Sequence, residues 1–134
     1  MLSDVAKVFE DYFAMILAAN KLALERTDDD ALRLINLRRD LSQKTSDVQR
    51  AVDAFVRAQG LNEAEIPCLR EHRTIFSAER GAVSLHQAKW NAPAMRADRD
   101  GYETDVRALF NMHADNHNWR MRILVPALAS ATAN

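Results

Sequence analysis

The sequence predicts an all-α fold, an antiparallel up-down-up-down bundle of four long helices that forms one domain over residues 1–134. Three observations lead there. Apolar residues recur at intervals of three and four almost from end to end, the spacing of one face of an α-helix. The chain holds only three Gly and three Pro, too few for a set of hairpin turns. Nowhere do β-branched residues alternate with polar ones over a useful length, so strands are not expected.

The first helix opens at Ser3, a good N-cap, and carries Val5, Val8, Phe9, Tyr12, Phe13, Ile16, Leu17 and Leu24 on one broad face, running to about Arg26. Thr27 with Asp28, Asp29 and Asp30 then supplies a cap and acidic side chains where the positive end of a helix dipole favours them. The second helix shows Leu34, Leu37, Leu41, Val48, Val52 and Phe55 as a narrower stripe, with Arg38, Arg39, Lys44 and Arg50 outside it. Gly60 ends it.

Asn62 followed by Glu65 has the form of a capping box, while Pro67 moves the start of the regular third helix towards Ile66. That helix continues to about Trp90. Asn91-Ala-Pro93 punctuates the second half, with proline suited to the first turn of a new helix. From there Met95, Tyr102, Val106, Phe110, His113, His117, Met121 and Leu124 read as one long amphipathic stretch, with Gly101 as a point of interruption. Pro126 cannot donate to the Arg122 carbonyl and should kink or fray the last turn. Connections of about two to six residues make successive helices antiparallel neighbours.

Composition narrows the functional classes. A hydrophobic fraction of 48% with 28% charged residues is that of a globular protein that folds without disulfides or a structural metal. Its 18 basic and 19 acidic residues are interleaved, so no broad electrostatic footprint for nucleic acid or a membrane surface is expected. The longest apolar run, Tyr12 to Ala19, is far short of the roughly 20 residues that span a bilayer. It also lacks the basic flank of a signal peptide, which makes a cytoplasmic location the expectation. Cys68, the single cysteine, falls on a helical apolar face and reads as a small hydrophobe.

All four histidines lie in the C-terminal half. Helical projection places His113 and His117 on the stripe of Val106, Phe110 and Leu124, and His72, Glu79 and His86 on that of Cys68, Phe76, Val83 and Trp90. Titratable groups thus stand where a plain bundle uses leucine. With a turn near Asn91 to Pro93, residues on the third and fourth helices lie level when their numbers sum to about 185, which brings His72 to His113. His72, His113 and His117 then become a candidate set for zinc or iron, because imidazoles four residues apart can direct nitrogens to one point. Asp115 projects away as a fourth ligand, and Glu71 or Glu79 needs favourable packing. His86, about 21 Å along the helix from His72, stands apart. A helix break near Gly101 would separate His72 from His113.

The segment His117-Asn-Trp-Arg-Met-Arg-Ile-Leu-Val-Pro126-Ala-Leu128 resembles the last helix of hemerythrin-like domains, and Leu69-Arg-Glu-His72-Arg-Thr-Ile75 is similar to the start of the helix before it. The resemblance implies a four-helix bundle with a di-iron centre in which His72 and His117 are ligands. Met121 stands where that family has a ligating glutamate, and the N-terminal half has no histidine.

No glycine-rich phosphate loop, nucleophile elbow or paired-cysteine zinc motif occurs. The expectation is therefore a non-enzymatic bundle, free of cofactor, that binds a protein partner or forms a homodimer as an adaptor, regulator or chaperone. The alternative is an iron- or zinc-binding sensor or carrier that uses His72, His113 and His117.

Overall fold

The computed structural model describes residues 1–25 and 30–132, and among these every regular element is helical. The helices are α1 (Leu2–Leu24), α2 (Asp30–Ala58), α3 (Pro67–Lys89), a short α4 (Ala92–Ala97), α5 (Arg99–Trp119) and α6 (Val125–Thr132). A 3₁₀ turn covers Glu63–Glu65, and a π-helical segment, Arg120–Leu124, joins α5 to α6. None of these helices is long and apolar enough to cross a membrane.

The helix ends show how local chemistry sets the boundaries. Helix α1 starts one residue before the expected Ser3 cap, with Met1 in the cap position, and ends at Leu24. The expected cap at Thr27, with Asp28 and Asp29, lies outside the described residues. After Ala58 the chain reverses through Gly60 at φ 61°, a left-handed conformation that costs glycine little. The Leu61 amide bonds the Val56 carbonyl and the Gly60 amide that of Arg57, the paired bonds of a Schellman stop. Asn62 does cap, but its side chain holds the short 3₁₀ turn through the Ala64 amide, and α3 begins separately at Pro67.

The largest departure from expectation lies between α3 and α5. Asn91 caps α4 through the Ala94 amide, but that helix ends at Ala97, and Asp98 opens α5 by accepting from the Gly101 amide. The interruption thus sits three residues before Gly101. Gly101 permits it, since a Cβ there would run into the Asp98 carboxylate. At the other end Pro126 neither ends nor frays the helix. The π segment lies over the residues whose carbonyls the proline ring would crowd, and the Val125 amide reaches back to Arg120. The chain stays helical to Thr132.

Side-chain pairings give the helix directions. Arg73–Asp53 at 2.7 Å, Arg80–Gln49 at 3.1 Å and Arg38–Trp90 carbonyl at 3.3 Å run α2 against α3. Lys89–Asp105 and Glu79–His113 do the same for α3 and α5, as do Phe13–Phe110 and Ala23–Arg99 for α1 and α5. Phe9–His72 and Tyr12–Phe76 place α1 and α3 side by side in one direction.

The buried apolar residues form two clusters. One contains Val5, Phe9, Val48, Val52, Phe55, Leu69, Leu124 and Leu128, and the other contains Leu22, Ala23, Leu34, Trp90, Tyr102 and Val106. A domain of this size usually has one contiguous core. The division between the two positions the site described next.

Candidate functional site

Near the middle of α3 the apolar stripe is broken by Glu79, which has no exposed surface. A carboxylate buried there requires partners on both oxygens. Oε2 accepts from the Tyr12 hydroxyl at 2.9 Å and faces His113 Nδ1 at 2.6 Å. Oε1 accepts from Asn116 Nδ2 at 2.8 Å and from the Arg120 guanidinium at 2.5 Å. Burial alone would raise the Glu79 carboxyl, but the bond to His113 and the Arg120 charge outweigh it and hold the group down at about 2. An ionised carboxylate only accepts, so His113 Nδ1 carries the proton and, in the neutral ring, Nε2 is left as an acceptor. Burial, with the Glu79 charge beside it, pushes the Tyr12 hydroxyl above its ordinary range.

Arg120 sits within this layer, buried, its guanidinium 5.9 Å from the Phe9 ring centre, 5.7 Å from Tyr12 and 5.3 Å from Phe76. Three ring faces and one carboxylate together make a buried cation tolerable. The stripe of His113, His117 and Leu124 contains Arg120 at helical spacing, so its inward position was legible, although Met121 was read as the stripe residue. The π segment beginning at Arg120 adds one residue to a turn and offsets every face beyond it.

The three candidate metal ligands are dispersed among other roles. His72 is 1% exposed and lies against Phe76 and Phe9, with Nδ1 unpartnered, and burial followed by the Arg120 charge lowers it to about 3. His113 is committed to Glu79. His117 is stacked on Phe13 at 4.3 Å, half-buried, and lowered by burial and by Arg120. Among the described residues no group of three or more His, Cys, Asp or Glu is placed to hold a metal ion.

The expected alignment fails for an identifiable reason. With α4 inserted, level residues on α3 and α5 sum to about 192, so His113 meets Glu79 rather than His72. The buried Arg120 guanidinium lies close enough to depress both His72 and His117. His72 and His117 each keep an Nδ1 without a partner, while the Arg120 charge beside them disfavours a further cation there.

Next to this layer, towards α4, a cleft of about 70 Å³ opens between the two apolar clusters. Its walls include Ile16 and Leu41 from the first cluster and Ala23, Leu34 and Val106 from the second. Helices α1, α2, α3 and α5 each contribute. Six side chains with polar groups also line it: Asn20, Arg38, His86, Gln87, Tyr102 and His113.

Arg38 was expected outside the apolar stripe of α2, yet it is half-buried here. Its hydrogen bond goes to the Trp90 carbonyl, and no carboxylate pairs with it among the described residues. Burial lowers its guanidinium from the ordinary value. Asn20 Oδ1 is buried with no donor. His86 rests on the Tyr102 ring and is lowered to about 4 by burial and by the Arg38 charge, so it is neutral near pH 7. Neither Arg38 nor Asn20 carries a sequence signal of this kind; helical projection places an arginine on a face but does not show that the space beside it is unfilled.

No protein-family model matches the chain, and no curated protein or solved structure is significantly similar to it.

Proposed function

We propose that this protein is a non-enzymatic binding protein, an up-down-up-down four-helix bundle that takes up a small molecule in the cleft between its two apolar clusters. The antiparallel pairings of α2 with α3 and of α5 with α3 and α1 support the arrangement. One observation carries the function: Arg38 without a carboxylate and Asn20 Oδ1 without a donor stand on the wall of one apolar cleft. A concave apolar site with a few converging polar groups is the usual form of a ligand pocket, and bundles build such pockets between facing helices.

The Glu79 layer supports binding rather than catalysis. Its carboxylate is ringed by four partners and sealed from solvent, which leaves it no free position for a reacting atom. Among the described residues no serine, threonine or cysteine lines the cleft.

A methyl-resolved NMR screen with molecules of about six heavy atoms or fewer tests this reading. Saturable shifts at Val83, Val106 and Leu109 are expected, and Val83→Phe, which fills the cleft, should abolish them while retaining the helical spectrum. Identical shifts in Val83→Phe, or none with any molecule, would contradict the reading.

A protein partner or a second copy of the chain is the other reading. Leu32 and Ile35, 68% and 53% exposed, lie three residues apart on α2 and favour it. Sedimentation over a wide concentration range separates the two, since an unchanging monomer counts against self-association.

A further inference from the structure

From the cleft's lining we infer that its ligand is a short-chain monocarboxylate of two or three carbons, with the carboxylate on Arg38 and the alkyl end against Ile16, Leu34 and Val106. This rests on the proposed ligand-binding function and adds the chemical class. The charge pattern selects the head group. Arg38 is the one arginine or lysine on a wall that has no aspartate or glutamate among the described residues, and its planar, forked donor set matches a carboxylate. His86 is neutral near pH 7 and adds no second charge, so a singly charged anion is matched whereas a dianion such as hydrogen phosphate is left half-neutralised.

Size and polarity select the tail. The cleft, at about 70 Å³, is roughly half the volume of an engineered apolar cavity known to hold benzene. In proportion that encloses about three heavy atoms, enough for the alkyl end of such a ligand, with its carboxylate at the Arg38 wall where the cleft opens. Ile16, Leu34, Val83 and Val106 give the wall an aliphatic part, against which a methyl or ethyl group gains by leaving water. Arg38 Nη2 donates to the Trp90 carbonyl, and among the described residues the rest of its fork makes no side-chain pairing.

The test titrates the full chain with sodium propionate and with neutral propionamide, which has nearly the same shape, at constant ionic strength set with sodium chloride. Methyl shifts of Val83 and Val106 and the fluorescence of Trp90 report binding. Propionate should saturate with a Kd about tenfold below that of propionamide. Arg38→Met should remove that advantage and leave propionamide unchanged. Where Arg38→Met does not fold, Arg38→Lys keeps the charge, loses the fork, and should weaken propionate about threefold and propionamide not at all. Equal binding of the two ligands, or full propionate affinity in Arg38→Met, overturns the carboxylate class while the cleft remains a binding site. If neither ligand saturates but other small molecules shift Val83, the class again falls alone. If nothing shifts Val83, both fall.

Discussion

Two adjoining layers of the helical core treat their buried charges differently. Around Glu79 both carboxylate oxygens are saturated and the one cation is enclosed by three aromatic rings. Towards α4, among the described residues, Arg38 donates to a backbone carbonyl and to no carboxylate, and Asn20 Oδ1 accepts from no donor. In the first layer the carboxylate and the guanidinium satisfy each other's charge, although His72 Nδ1, His117 Nδ1 and Arg120 Nε have no hydrogen-bond partner, and no cavity opens on the Glu79 carboxylate. The second is incomplete, so its polar residues act on something that is not part of the chain. Polarity alone does not mark a site; unmet hydrogen-bonding capacity beside empty space does.

The contrast predicts unequal responses to substitution. Glu79→Gln is nearly isosteric but leaves the Arg120 guanidinium buried without its counter-charge. It should cost about 3–5 kcal/mol in chemical denaturation, the usual penalty for breaking a buried pair from one side. A loss below about 1 kcal/mol would mean that the layer is hydrated and not a sealed structural unit.

Acid should dismantle the same layer in an ordered way. His72 titrates at about 3 in the fold against 6.5 in a free chain, so between those values the unfolded chain holds more protons and stability falls as pH falls. His86, at about 4, adds to the loss between pH 6.5 and 4. Glu79, held at about 2 against 4.5, keeps its stabilisation above pH 4.5 and loses it as pH drops towards 2. Urea titrations from pH 7 to 4.5 should show a decline, of which His72→Leu removes about 2 kcal/mol. An unchanged slope in His72→Leu would show that His72 is not the group taking up the proton.

How much of this was legible in the sequence follows from what each feature depends on. The helices were, because the apolar spacing of residues such as Val5, Phe9, Tyr12 and Ile16, and the stop at Gly60, are local. So was the inward position of His72, Glu79 and His113, for the stripes of α3 and α5 pass through them. Their mutual register was not. It depends on Asp98, whose capping bond to the Gly101 amide divides α4 from α5 and shifts the level partner of His113 by seven residues, from the expected His72 to Glu79. Arg120 was on the stripe yet passed over for Met121, since an unbroken α-helix hides the π turn ahead of Pro126. Arg38 and Asn20 were beyond reach, because an unfilled volume is a property of four helices together.

The central claim is that Arg38 is kept for a ligand and not for the fold, and the stability of Arg38→Met tests it most directly. A half-buried guanidinium whose hydrogen bond goes to one backbone carbonyl adds little net stability, and methionine fills similar space without a charge to desolvate. The substitution should therefore leave the midpoint of urea unfolding unchanged or raise stability by about 1 kcal/mol. A loss of about 2 kcal/mol or more would contradict the claim and make Arg38 a structural residue like Arg120.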